Sequence, residues 1–332
     1  MNRKIKWGVI GCANIGTRAV IPAIQHSRNA QVIAIASRDP ARARQVASQQ
    51  DIPNAFGDYA AILADPDIEA VYIPLPSSLH AEWAIRAAKH HKHILVEKPM
   101  ALNVGEMDEI AAAAANNGVL AMEALMYKLH PQTGRVAEII RCGGLGAVQL
   151  VSAAFTIHVP NPKDIRLTRA LGGGCLLDIG TYCVSVARMA MHAEPVEAIG
   201  RARIGPDSDV DEVFAGMLRF SEGRLATFGC ALHGPRAQWY KVTGSEATLT
   251  VPVPFAPGTD DRELIIRRGW LRGQETEERI RVAGVDQYQL MIEHFSDCVM
   301  MGGSPAISLA ETRANVAAVS ALIQSALGAN SA

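Results

Sequence analysis

The sequence predicts an α/β protein in two parts: a parallel sheet wound with helices, then an α/β part with a largely antiparallel sheet. Three observations predict this. Short apolar runs alternate with alanine-rich helical stretches through the first third of the chain. A glycine-bearing turn follows the first apolar run directly. From about residue 195 to 282 the chain is strand-like, with tight turns between the runs.

The apolar runs Lys6–Ile10, Gln31–Ala36, Ala70–Pro74, His93–Val96 and Leu120–Met122 read as buried parallel strands. Between them, Ile15–Gln25, Pro40–Gln49, Leu79–Ala88 and Val104–Ala115 read as helices. The pattern changes near residue 125. This places one domain at 1–125 and a second at 126–332. The second opens with a helix around Arg135–Arg141 and one long strand over 146–158. A proline-rich loop follows at Pro160–Asp164. Gly172-Gly173-Gly174 then leads into a helix over Leu176–Met191. Turns are expected at Ser221-Glu222-Gly223, Gly234-Pro235 and Gly244-Ser245-Glu246. Two helices, roughly Gln287–Met300 and Leu309–Leu327, complete the pattern.

Composition narrows the function. Of the 332 residues, 49% are hydrophobic and 20% charged, which suits packed cores rather than disorder. The formal net charge of −1 gives no reason to expect nucleic acid or an anionic membrane surface. The six cysteines show no metal-ligand spacing, so no metal is expected, and reduced thiols in a cytoplasmic protein are. The N-terminal residues do not read as a signal peptide, and no run looks long enough to span a membrane.

The chemistry lies in five motifs. Gly11-Cys12-Ala13-Asn14-Ile15-Gly16 follows a strand and opens a helix, with alanine in the middle position of a Rossmann fingerprint. Gly11 makes the tight turn. Ala13 still lets backbone approach a pyrophosphate, and the helix start supplies amide donors. The next strand ends in Ser37-Arg38-Asp39. A guanidinium and a hydroxyl there suit a 2′-phosphate, which favours NADP(H). Asp39 also suits a helix cap before Pro40; if it faced the ribose instead, NAD(H) would be open.

Ile73-Pro74-Leu75-Pro76 ends another strand. Leu75 and Pro76 form an extended wall suited to a flat ring, and His80 falls in the next helix's first turn. Glu97-Lys98-Pro99 ends the run His93–Val96, which places the Lys98 ammonium in the crevice at the strand ends. Asp178 and Tyr182 are four apart, so a carboxylate and a phenol share one helical face.

These residues together resemble the Gfo/Idh/MocA family of oxidoreductases over about 5–327. The resemblance is strongest at Gly8–Gly16, Val71–His80, Val96–Pro99, Glu123–Gln132 and Gly172–Tyr182. Glu123–Gln132 and Asp164–Leu167 are similar to the branch holding dimeric dihydrodiol dehydrogenases, NADP-dependent xylose dehydrogenases and deoxysugar ketoreductases. The resemblance implies a Rossmann domain, then an α/β domain whose antiparallel sheet often forms a dimer interface, so a homodimer or higher homo-oligomer is expected. It also implies that Lys98 and Tyr182 are the catalytic pair. Lys128 departs from the arginine of many relatives, which leaves its role open.

The expected cofactor contacts are Gly11, Cys12, Ala13, Asn14, Ile15, Ser37, Arg38, Leu75, Pro76, His80, Glu97 and Lys98. The expected substrate contacts are Lys98, His158, Arg166, Asp178 and Tyr182. A phenol ordinarily titrates near about 10, and a neighbouring ammonium would favour phenolate. Tyr182 then exchanges the proton while Lys98 supports the oxygen charge. A site rich in polar groups favours a sugar or polyol. Two other readings stand beside it: a trans-dihydrodiol dehydrogenase, and a dinucleotide-sensing regulator without catalysis.

Overall fold

A computed structural model describes residues 3–271 and 273–329. The chain forms two compact units, Met1–Leu129 with Asp286–Arg313, and His130–Val285 with Ala314–Ala332.

The first unit holds six strands: β1 (Ile5–Ile10), β2 (Ala30–Ala36), β3 (Asn54–Phe56), β4 (Ala70–Ile73), β5 (His93–Val96) and β6 (Ala121–Glu123). All pair in parallel, in the order β3-β2-β1-β4-β5-β6. This is the doubly wound arrangement, with the order reversing beside β1 and the ligand crevice at the strands' carboxyl ends. Both faces are covered, so β4 is buried at every residue. Helices α1 (Ile21–His26), α2 (Pro40–Gln49), α3 (Tyr59–Ala64), α4 (His80–Lys89) and α5 (Val104–Asn116) make the crossovers. β3 and α3 went unforeseen in the sequence. A three-residue strand and a six-residue helix are too short to display a period.

The second unit opens with α6 (Pro131–Arg141). Its mixed sheet contains β7 (Val148–His158), β8 (Glu197–Ile204), β9 (Asp211–Arg219), β10 (Leu225–Ala231), β11 (His233–Gly244), β12 (Ala247–Val251), β13 (Arg262–Arg268) and β14 (Thr276–Val282). The order is β14-β13-β12-β11-β7-β10-β9-β8, antiparallel except for β7 beside β10. The pair Gly234-Pro235 does not separate two strands. It lies inside β11, at a shift of register between His233 and Ala237, where a bulge tolerates the missing proline N–H. Helix α7 (Thr181–Met191) packs on one face of this sheet, against β7, β10 and β11. The other face carries Leu150, Val213 and Trp239 exposed.

With its preceding turns, Arg169–Met191 is long and apolar enough to cross a membrane by length and composition, which corrects the sequence expectation. Of its most apolar stretch, 67% is buried, as in a core helix.

Helix α8 (Gln287–Met301) belongs with the first unit. Trp7 on β1 packs its ring 5.7 Å from that of Phe295 and donates from Nε1 to Ser296 Oγ at 3.3 Å. Asn29 Nδ2 donates to the Glu293 carbonyl at 2.8 Å and to Asp297 at 2.7 Å. The final helix, α9 (Leu309–Ala329), spans both units in sequence.

Candidate active site

In the first unit the expected cofactor residues gather at the carboxyl ends of β1, β2, β4 and β5. The β1 end turns at Gly11, whose φ is +116°, and a Cβ there would lie 3.0 Å from Leu75 Cδ2. A side chain there would crowd Leu75, so the turn keeps its backbone bare, as a dinucleotide pyrophosphate would require, and the residues fit such a group. The helix after it starts at Asn14 and widens into a π-turn over Gly16–Val20. Such turns recur at functional sites.

At the end of β2, Ser37 is buried and Arg38 exposed. Asp39 caps α2, accepting from the amides of Ala41 at 2.9 Å and Arg42 at 3.2 Å. That geometry occupies the Oδ1 oxygen in capping. Burial pushes the Cys12 thiol up, while Arg42 and a hydrogen bond with Ser37 pull it back. Cys12, Ser37 and Arg42 therefore meet at one corner. Arg42 had drawn no attention in the sequence, although its place in the first turn of a helix beginning at Pro40 was a usable signal.

The ends of β4 and β5 are tied together. Tyr72 donates from its hydroxyl to Glu97 Oε1 at 2.7 Å, and Glu97 Oε2 accepts from the Lys98 amide at 3.3 Å. The Lys98–Pro99 peptide is cis. His80 is fully buried, its ring nitrogens 2.8 Å from the Pro99 carbonyl and 2.7 Å from that of Leu75. Burial pushes the imidazole down in pKa, and the two carbonyls oppose this. His80 thus joins the loop after β4 to the loop after β5. Lys128 forms an ion pair with Glu311 at the start of α9.

In the second unit, α7 is preceded by a second π-turn, Leu176–Gly180. Asp211 Oδ2 accepts from the Leu176 amide at 2.7 Å and from the Cys175 thiol at 3.2 Å, anchoring the turn. Gly174, at φ +124°, leaves room for that carboxylate; a Cβ would lie 2.1 Å from Asp211 Oδ1. Asp178 accepts from Arg166 Nε at 2.7 Å, and Arg166 also pairs with Asp164 at 3.2 Å. Two of the expected substrate contacts therefore bind each other.

Tyr182 is 5% exposed. Its ring lies 5.7 Å from Phe155 and 5.3 Å from Phe255, and those two stack at 5.1 Å. The aromatic neighbours were not foreseen, since they come from β7 and from the loop after β12. His158 is exposed at the end of β7, with His233 opposite in register and 6.4 Å away between ring centroids.

Residues 5–125 match the model described as oxidoreductase family, NAD-binding Rossmann fold, and 133–250 match the GFO/IDH/MocA C-terminal domain. The chain is 35% identical to a D-xylose 1-dehydrogenase (NADP(+)) of Haloferax volcanii, covering 96% of this chain and 97% of that one. It is 31% identical to a trans-1,2-dihydrobenzene-1,2-diol dehydrogenase of Danio rerio, covering 75% and 74%. A 3-ketoreductase of Actinomadura kijaniata, crystallised with NADP and TDP-benzene, superposes with a TM-score of 0.89 at 32% identity, over 97% and 98%. That reductase has also been crystallised with one tyrosine replaced by phenylalanine and with one lysine replaced by alanine.

Proposed function

This chain belongs to the Gfo/Idh/MocA family of oxidoreductases, and on that premise we propose that it interconverts an alcohol and a carbonyl on a sugar or polyol with NADP(H). The observation that carries the reading is the set Tyr72, Glu97 and Lys98 at the carboxyl ends of β4 and β5, beside the fingerprint turn. Gly11–Ile15 would hold the pyrophosphate, Ser37 and Arg38 the 2′-phosphate, and Leu75, Pro76, Glu97 and Lys98 the nicotinamide side. His80 acts there by fixing the carbonyls of Leu75 and Pro99. When bound, NADPH supplies a hydride from its nicotinamide C4.

Tyr182 gives its phenolic proton to the substrate oxygen as the alcohol forms, and takes it back in oxidation. Lys98 stabilises the negative charge that grows on that oxygen. Asp178, with Arg166 orienting it, accepts hydrogen bonds from substrate hydroxyls, and His158 lines the rim. The lysine and tyrosine replaced in the Actinomadura kijaniata reductase are separated by the same number of residues as Lys98 and Tyr182 here, which supports the pairing. The exposed apolar residues on the open sheet face support pairing with a second copy.

One observation favours a second reading. Phe155 and Phe255 enclose Tyr182, a setting that suits an apolar ring and hence a trans-dihydrodiol. The test is a panel of D-xylose, other aldoses, polyols and trans-dihydrodiols, each with NADP and NAD, followed at the nicotinamide absorbance. Turnover on a sugar, lost in Lys98→Ala and Tyr182→Phe, is the expected result. Turnover on dihydrodiols alone selects the second reading. Tight NADP binding without turnover on any substrate selects a regulator.

A further inference from the structure

Glu123 ends β6 and pairs in register with Val96 of β5, so it stands beside the segment Glu97-Lys98. It is 1% exposed. Its Oε1 accepts from the Met100 amide at 3.0 Å. Its Oε2 is buried without a hydrogen-bond partner. An ionised carboxylate in that position would keep one oxygen unsatisfied and desolvated, which the neutral acid largely avoids.

The charged groups acting on it are Lys128 on the following turn, itself paired with Glu311 of α9, and Lys98 and Glu97 after β5. The Lys98 charge also acts on His80 of α4, opposing its protonation. Burial pushes the Glu123 carboxyl up to about 7; the Met100 amide, Lys128 and Lys98 oppose this, and Glu97 adds to it.

We propose that Glu123 is a positioning residue for Lys98: as a neutral acid it leaves the ammonium to the substrate oxygen, and on ionising it draws the ammonium to itself. The assignment of Lys98 to the reaction rests on the proposed function. The coupling between Glu123 and Lys98 does not, and it can be read without a substrate.

The experiment is a double-mutant cycle in thermal stability from pH 5 to 8. It compares the full chain with Glu123→Gln, Lys98→Met and the double variant. Glu123 binds its proton more tightly folded than unfolded. The native state therefore holds more protons between the unfolded and folded pKa values, and stability falls as pH rises through that window. The wild type should lose melting temperature as pH rises from 5 to about 7, and Glu123→Gln should lose clearly less.

In Lys98→Met the fall should move to higher pH, because the cation that helps Glu123 ionise is gone. In the double variant the fall should be as small as in Glu123→Gln. A Glu123→Gln profile parallel to the wild type overturns the proposal, and so does a fall in Lys98→Met at unchanged pH. With any substrate the panel identifies, Glu123→Gln should also remove the neutral inflection from the pH profile of kcat/KM, a shift that a purely structural role would not cause. An inflection that survives overturns the link to catalysis. Absence of any substrate counts against the proposed function alone, since the stability cycle decides the coupling.

Discussion

Two tryptophans compare the two sheets of this molecule. Trp7, on β1, is 0% exposed and Trp239, on β11, is 40% exposed. The first lies in a parallel sheet covered on both faces, the second on the uncovered face of a mixed sheet. The burial patterns say the same: β4 is buried throughout, whereas alternate residues of β9 are buried and open. A sheet covered on both sides has only its strand ends left for ligands. A sheet covered on one side also keeps a whole face for a partner. On the proposed function, the first unit would concentrate its chemistry at loops, and the second would divide its roles between a helix start and an open surface.

The contrast can be broken by substitution. Trp7→Ala should have the largest effect, a loss of about 3–5 kcal/mol, because it empties a closed core and removes the donor to Ser296. Denaturant unfolding measures it. If Trp7→Ala and Trp239→Ala cost the same, the distinction between the sheets is wrong. Lys98→Ala should lower turnover at least ~100-fold, the scale of lost acid–base or oxyanion help, with NADP binding largely kept. Near-normal turnover would remove the lysine from the reaction.

Arg38→Ala should weaken NADP by about 10-fold, the scale of a lost charged hydrogen bond, and leave NAD almost unchanged. Titration of both nucleotides checks this, and an equal loss for both would place Arg38 away from the 2′-phosphate. Asp39→Ala should cost about 1 kcal/mol through its two capping bonds. The smallest effect is expected for Trp239→Ala, within about 0.5 kcal/mol for a monomer. A larger loss that grows with protein concentration would show a second copy covering that face.

Much of the first unit was legible because its signals are local. Five apolar runs became strands with shifts of a residue or so, and Asp39 before Pro40 became a helix cap. The turn at Gly11 needed only a glycine after a strand. The second unit was legible as a type of sheet, but Gly234-Pro235 misled, because a bulge and a turn attract the same residues. At the site, Lys98 stood out as a charge ending an apolar run. Glu123 ends β6 in the same way, an acid closing the apolar run Leu120–Met122, and that was a usable signal.

By itself, then, the sequence determined most strands and helices of the first unit, the fingerprint turn and the capping of α2, since each depends on neighbours a few residues away, and the family through several such local motifs in order. Only the tertiary structure decided the rest: the burial of Glu123 with one oxygen unpaired, the aromatic surroundings of Tyr182, the mutual pairing of Arg166 and Asp178, and the packing of α8 beside Trp7. The physical reason is that desolvation and ring packing depend on what distant segments bring to a point, and no local period records that.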